Sequence, residues 1–272
     1  MEKEKFINDN IGETLLITLY MKCRESRQPA PIIMDKTACR LVEGIDYDFG
    51  KFEKGIKSSV GVAIRSRYFD EMAKSFIAKR PNPVVVIVGC GLDSRRERLG
   101  DMADLADFYQ LDIPEVIRIR ERLLPADGNE IFIAASMLET LWMDELRQIH
   151  PKGDFLFIVE GLFMYFEKTA VRNVFENLAM RFPGGEILFD IVNAWMSRNS
   201  HLHDTVKHTS AKFRFGTNDD REMESWADNL HLVASKKYTD FKEWRRTGLK
   251  GWLMGFVPVF RNAGRMLHYK IS

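Results

Sequence analysis

Cysteine is scarce in this chain of 272 residues, and the few present are poorly spaced. Cys23, Cys39 and Cys90 are odd in number and form no C-x-x-C pair. Neither a disulfide framework nor a zinc site is expected, and a reducing compartment fits. Long apolar runs are missing too. The longest early one, Thr14 to Met21, falls far short of the roughly 20 residues that span a bilayer. The opening MEKEKFINDN is too acidic and polar for a secretory leader. These gaps predict a cytoplasmic protein with no membrane partner. Excess charge of one sign is also lacking. Forty Lys and Arg against 39 Asp and Glu leave a net charge of +1, so bulk electrostatics supply no nucleic-acid partner. Histidine is sparse, and His201, His203 and His208 do not match a standard zinc spacing. No metal is expected there. The three read as part of a solvated loop, with a base or a substrate contact as the functional alternative.

What is present suffices for a large core. Apolar residues make up 45% of the chain, with 19 Phe and 13 Met. That excess of large side chains suits simple core filling and also an apolar pocket. The pattern reads as one domain, 1–272, in three parts. Residues 1–82 predict a helical cover, with helices over Thr14 to Arg27, from an N-cap at Asp35 to near Gly44, and over Ser58 to Lys79. Residues 83–192 alternate strand and helix. Strands are predicted at Val84 to Gly89, Phe108 to Asp112, Ile131 to Ser136, Phe155 to Glu160 and Glu186 to Val192. The first is a continuous β-branched run, as expected of a strand buried on both faces. Such alternation implies an α/β fold with a doubly wound, mostly parallel sheet. Residues 193–272 are less regular. They predict a polar insertion over 201–220 and two edge strands, Val233 to Tyr238 and Met266 to Ile271, the last antiparallel.

The chemistry gathers at strand ends. The first strand runs into Gly89-Cys-Gly91-Leu-Asp93. Glycines allow close backbone approach to a ligand, and the following helix start favours anionic groups. A tight turn without a ligand is the structural alternative. Asp112 ends the next strand, about twenty positions on, where a carboxylate can bind ribose hydroxyls. It also stands just before Ile113-Pro114, where it can cap a helix. Ser136 and Met137 follow the third strand, placed for an adenine edge or for a plain turn. Glu160 ends the fourth. A carboxylate there needs a partner, either a ligand ammonium or a neighbouring cation. Arg65, on the helix leading into the sheet, could clamp a carboxylate or serve as a surface charge.

Together, Gly89-Cys-Gly-Leu-Asp93, Tyr109-Gln-Leu-Asp-Ile-Pro-Glu115 and Glu160-Gly-Leu-Phe-Met-Tyr-Phe166 resemble the leucine carboxyl methyltransferase family, which includes tetracenomycin-type polyketide O-methyltransferases. Arg65 falls where that family carries its cofactor arginine. The resemblance spans roughly residues 14–192. It implies a class I, Rossmann-like methyltransferase with a seven-stranded sheet and S-adenosylmethionine (SAM) as cofactor. By it, Arg65 holds the methionine carboxylate, Gly89 and Gly91 form the floor, and Asp112 binds the ribose. Ser136 and Met137 flank the adenine, and Glu160 receives the amino group. Apart from the resemblance, Tyr165 follows Glu160 closely and could line the methyl-transfer site or pack as an aromatic with its hydroxyl on a backbone group. Some relatives carry aspartate where this chain has Ser136. The run Ser94-Arg-Arg-Glu-Arg98 is more basic than the pattern leads one to expect.

The implied acceptor is a carboxylate or hydroxyl of a small natural product. A carboxylate is already ionised and needs no base, whereas a phenol does. Trp195, Trp226, Trp244 and Trp252 could roof an apolar acceptor pocket or simply pack in the core. Arg118, Arg120 and Arg122, beside Glu115 and Glu121, read as a solvated helix face. Two other classes compete. A nicotinamide oxidoreductase shares the turn and the acidic residue, but the third glycine of its fingerprint is missing, since Leu92-Asp93-Ser94 follows. A non-catalytic SAM-binding sensor keeps the fold, but the pair Arg65 and Glu160 favours an enzyme.

Overall fold

The computed structural model describes residues 4–5 and 10–272. Seven strands form the central sheet: β1 (Pro83–Val88), β2 (Asp107–Asp112), β3 (Glu130–Ala134), β4 (Asp154–Val159), β5 (Glu186–Val192), β6 (Leu230–Lys237) and β7 (Gly264–Ile271). Their order is β3-β2-β1-β4-β5-β7-β6. Strands β1 to β5 pair in parallel, while β7 is antiparallel to both β5 and β6. The two C-terminal strands lie at the far edge, as expected. The predicted strands are therefore all present, each shifted by a few residues at most.

Alternation along each strand explains the burial of both faces. Val84, Val86 and Val88 face one core with Phe155, Phe157 and Val159. Val85 and Ile87 face the other with Leu156 and Ile158. Successive side chains on a strand point to opposite faces, so a continuous apolar run builds two cores at once. On the first face lie α6 (Leu141–Ile149) and α7 (Lys168–Arg181). Val171, Val174, Phe175 and Leu178 of α7 are buried there, together with Phe182 just beyond it, matching the helical spacing. On the second face lies α3 (Ile56–Lys79), through Ile64, Phe69, Ala73, Phe76 and Ile77.

The N-terminal cover is α1 (Asn10–Ser26) and α2 (Lys36–Gly44), packed on Phe49 and Phe52. Asp35 caps α2 by accepting a hydrogen bond from the Ala38 N–H at 2.8 Å. Cys23 and Cys39 pair as a disulfide between α1 and α2. This corrects the expectation that no disulfide would form. Two helices laid side by side bring the sulfurs together, which spacing along the chain does not reveal. Cys90 is free and buried.

The sheet reverses its winding between β1 and β4, neighbours that lead the chain to opposite sides. In such sheets ligands bind beyond the carboxyl ends of the strands at that point. Here those ends are Gly89 and Glu160. Two short helices follow strand ends in this region, α4 (Arg95–Leu99) and α5 (Pro114–Leu123). The chain beyond β5 adds α8 (Ala194–Arg198), α9 (Gly248–Met254) and α10 (Pro258–Arg261) with several 3₁₀ turns. The 201–220 segment is not the solvated loop expected. It buries Thr205, Val206, Phe213 and Phe215. Among the described residues, no helix is long and apolar enough to cross a membrane.

Candidate active site

A cavity of about 560 Å³ opens at this reversal. Its floor is the turn after β1. Gly89 and Gly91 have φ of 69° and 49°, a region that side chains with a Cβ rarely enter. A Cβ on Gly89 would lie 2.6 Å from Leu162 Cδ2. Asp112 ends β2 and clasps this turn. One of its oxygens accepts from Gly91 N and the other from Ile113 N, both at 2.8 Å. Burial raises its pKa against those two bonds and Arg120. Each oxygen keeps a lone pair for a further donor. The N-cap of α5 is Ile113, with no side-chain cap bond, so Asp112 does not cap that helix as one reading expected, and the ribose reading stays geometrically open.

Glu160, at the end of β4, meets cations on several sides. Arg65 Nε lies 3.1 Å from its Oε1, and Arg95 Nη2 lies 2.5 Å from its Oε2. Ser66 Oγ donates to it at 2.8 Å. Burial pushes the Glu160 carboxyl up, but Lys22, Arg65 and Arg95 overcome this and hold it at about 2. Arg65 also donates from Nη1 to Asp190 Oδ2 at 2.6 Å, and Asp190 Oδ1 accepts from Gly161 N at 2.6 Å. Burial raises the Asp190 pKa in spite of Arg65. Arg65 is therefore no surface charge.

The arginines after Asp93 belong to the same buried network. Arg95 is fully buried, with Asp70, Asp93 and Glu160 around its fork. Arg98 reaches Asp35, Asp70 and Asp93. Lys22, from α1, lies 2.5 Å from Asp93 Oδ1. Asp93 Oδ2 is buried without a hydrogen-bond partner, although Arg95 Nη1 stands 3.2 Å away. Charges taken from water are tolerated only when paired in this way.

Arg120 corrects the expectation of a solvated helix face. It is fully buried. Its Nη1 donates to the carbonyls of Gly91 at 3.2 Å and Asp93 at 2.8 Å. Its Nη2 lies 3.0 Å from Glu130. Arg118 is exposed, as expected. Helical spacing could have revealed the difference. Arg120 stands four residues after Val116 and three after Ile117, on the apolar face, while Arg118 does not.

Of the residues singled out from sequence, Arg65, Gly89, Gly91, Asp112, Glu160 and Tyr165 all line the cavity. Ser136 and Met137 are not among its lining residues. Ser136 Oγ accepts from Leu138 N at 3.2 Å, a turn contact, and Met137 is buried in the core with Trp142. Lys22, Asp93, Asp190 and His203 line the cavity too, and none had been assigned to the cofactor. Lys22 and Asp190 lie far from any motif, so no local signal marked them. His201 and His208 are exposed, but His203 is half-buried. Trp195 and Trp244 line the cavity, whereas Trp226 packs in the core. Tyr165 packs against Phe213 with ring centroids 5.4 Å apart, and burial raises its hydroxyl pKa. Among the described residues, no cluster of His, Cys, Asp and Glu could hold a metal ion.

The family model for leucine carboxyl methyltransferase matches residues 16–179. The chain belongs to that family. The tetracenomycin polyketide synthesis O-methyltransferase TcmP of Streptomyces glaucescens is 31% identical over 268 residues, covering 95% of this chain and 96% of that one. The S-adenosyl-L-methionine-dependent methyltransferase dpfgK of Gibberella zeae is 24% identical over 276 residues, covering 94% and 91%. A duf574 family protein from Streptomyces avermitilis shares the fold, with a TM-score of 0.60 at 12% identity, covering 95% of this chain and 97% of that one. The methyltransferase thus has the seven-stranded, mostly parallel sheet that was expected. Membership sets aside the nicotinamide oxidoreductase reading.

Proposed function

We propose that the chain is a SAM-dependent O-methyltransferase, working as one domain, that esterifies a carboxylate on a small aromatic acceptor of the polyketide type. The names of the two relatives support the cofactor and the acceptor class. The donor set also fits the cofactor. Lys22 and Arg65 answer the methionine carboxylate. Glu160 and Asp93, both on the cavity wall, answer its ammonium. Asp112 answers the ribose hydroxyls, and Gly89 and Gly91 let the backbone pass close beneath. Ser136 and Met137 follow Ala135, whose N–H bonds the Asp112 carbonyl at 3.0 Å. In this reading their backbone, and not their side chains, stands beside the adenine edge.

Bound SAM supplies an activated methyl: the acceptor oxygen forms the new bond to carbon, and the electron pair of the breaking C–S bond stays on sulfur. The protein's part is to orient the two and to exclude water. One observation carries the carboxylate reading. The phenol groups facing the cavity, Tyr165 and Tyr238, are both pushed well up by burial. They stay protonated at neutral pH, so a hydroxyl acceptor would have to use another group, such as His203, as its base. An ionised carboxylate needs no such base. Tyr165 then lines the transfer site without exchanging a proton.

The test is the lability of the product. Incubation with isotope-labelled SAM and a panel of hydroxylated aromatic acids should label a methyl ester, which mild alkali removes. An alkali-stable label would mark an ether and contradict the carboxylate reading. Binding of SAM without transfer to any acceptor would favour the sensor.

A further inference from the structure

Two polar groups in the cavity have no part in the cofactor reading above, on which the following rests. Lys57 lies in the first turn of α3, where the N-cap Gly55 offers no side-chain bond. Asp204 takes over that task. Its Oδ2 accepts from Ser58 N at 3.1 Å, and its Oδ1 accepts from Ser58 Oγ. This contact ties the 3₁₀ turns after α8 to α3 and brings His203 to the same part of the wall as Lys57. Both line the cavity.

Lys57 Nζ lies 3.4 Å from Met254 Sδ, a weak acceptor. Lys57 makes no ion pair among the described residues. By contrast, the cavity cations Lys22 and Arg65 both meet carboxylates. An ammonium beside a thioether, at the wall of an apolar cavity, calls for an anion.

His203 supplies the complementary donor. Its Nδ1 accepts from Val206 N at 3.4 Å and lies 3.3 Å from Thr205 Oγ1. A ring nitrogen that accepts a backbone N–H carries no proton, so the proton of the neutral ring sits on Nε2. Nε2 has no protein partner among the described residues. Burial lowers the His203 pKa; Asp204 opposes this, and Arg65 and Lys57 reinforce it. The ring is therefore neutral at physiological pH, with its Nε2–H available to donate. Flat apolar walls stand alongside. His203 packs edge-on against Phe213 at 5.7 Å, and Trp195 packs edge-on against Phe260 at 5.4 Å.

We propose that Lys57 and His203 form the acceptor's anion anchor: the Lys57 ammonium and the His203 Nε2–H hold one carboxylate oxygen while the aromatic body lies against Phe213 and Trp195. The second oxygen is left to attack. The pair would select acids over the corresponding amides, because an amide offers no charge to Lys57.

The experiment uses 1-naphthoate and 1-naphthamide as probes, titrated calorimetrically into the protein with and without saturating S-adenosylhomocysteine. The expected result is naphthoate binding at least about tenfold tighter than naphthamide, as loss of a charged hydrogen bond implies. Lys57→Gln and His203→Phe should each weaken naphthoate about tenfold and leave naphthamide unchanged. Lys57→Arg and His203→Gln, which keep the charge and the N–H, should retain most of the affinity. S-adenosylhomocysteine should bind all the variants as it binds the native protein. Equal affinities for the two probes, no naphthoate binding, or variants that match the native protein would overturn the anchor. So would a joint loss of S-adenosylhomocysteine binding, which would move the pair to the cofactor half. Failure of the native protein to bind S-adenosylhomocysteine would instead sink the cofactor reading, with the probe arm without it still deciding the anchor.

Discussion

Arg95 Nη2 lies 2.5 Å from Glu160 Oε2, joining the first residue of α4 to the end of β4. The guanidinium is fully buried, and Asp70 and Asp93 complete its surroundings. This contact fixes the glycine turn of β1 against the carboxyl end of β4. The two halves of the cavity floor are thereby held before any ligand arrives, which lowers the ordering cost of binding.

Arg95→Met should be strongly destabilising, because it leaves three buried carboxylates short of a partner. Removing one member of a buried ion network costs about 3–5 kcal/mol. Chemical denaturation followed by fluorescence checks this. A loss below about 1 kcal/mol would mean that the network relaxes to let water in.

Arg120→Met should loosen the floor and also lower stability, because it leaves the buried Glu130 without its cation. It removes the donors to the Gly91 and Asp93 carbonyls and leaves Glu130 with the Gln110 amide at 2.6 Å as its bond. SAM affinity should fall about tenfold, read by calorimetry on protein whose far-ultraviolet dichroism is unchanged.

Acid should weaken the fold through Glu160. Its carboxyl is held near 2 in the folded protein, below its ordinary 4.5. A depressed carboxyl stabilises fully above its unfolded value and loses that contribution as pH falls through the folded one. The native protein's advantage over Glu160→Gln should therefore shrink between pH 4.5 and about 2. Denaturant midpoints of the two proteins across this range give the test, and a constant difference would contradict the pairing.

Much of this was legible in the sequence, and the reasons differ by element. The run Val84 to Val88 announced β1 because a strand buried on both faces has no other composition. Asp112 and Glu160 were legible because they end strands, and Arg65 because the family resemblance marks that position; all three line the cavity. His203 was named only as one of three loop histidines with a substrate contact as the alternative, and Lys22 and Asp190 were not legible, since the fold brings them to the cavity from elements with no motif. The Cys23–Cys39 disulfide escaped for the same reason. Ser136 and Met137 were placed at a strand end correctly, yet the turn there spends the serine hydroxyl locally and buries the methionine. Offsets locate a backbone position, whereas side-chain direction depends on the turn that follows.

Gly89→Ala should abolish measurable cofactor binding at modest cost in stability. Its positive φ disfavours a Cβ by roughly 1–2 kcal/mol, and that Cβ would collide with Leu162 at 2.6 Å, displacing the residue two beyond Glu160. Binding unchanged from the native protein would show that the turn is structural only.

Tyr165→Phe separates the two acceptor chemistries. With a carboxylate acceptor no proton leaves, so kcat should drop less than tenfold and stay flat from pH 6 to pH 9. A loss of about a hundredfold or more, with a rate rising with pH in the native protein, would instead make the hydroxyl a proton acceptor.

The central claim is tested most directly by calorimetric titration of the purified protein with SAM, alongside Asp112→Ala and Glu160→Ala. The account predicts micromolar, one-to-one binding to the native protein and an affinity weaker by about tenfold or more in each variant. No SAM binding to the native protein, or equal binding to all three, would contradict it.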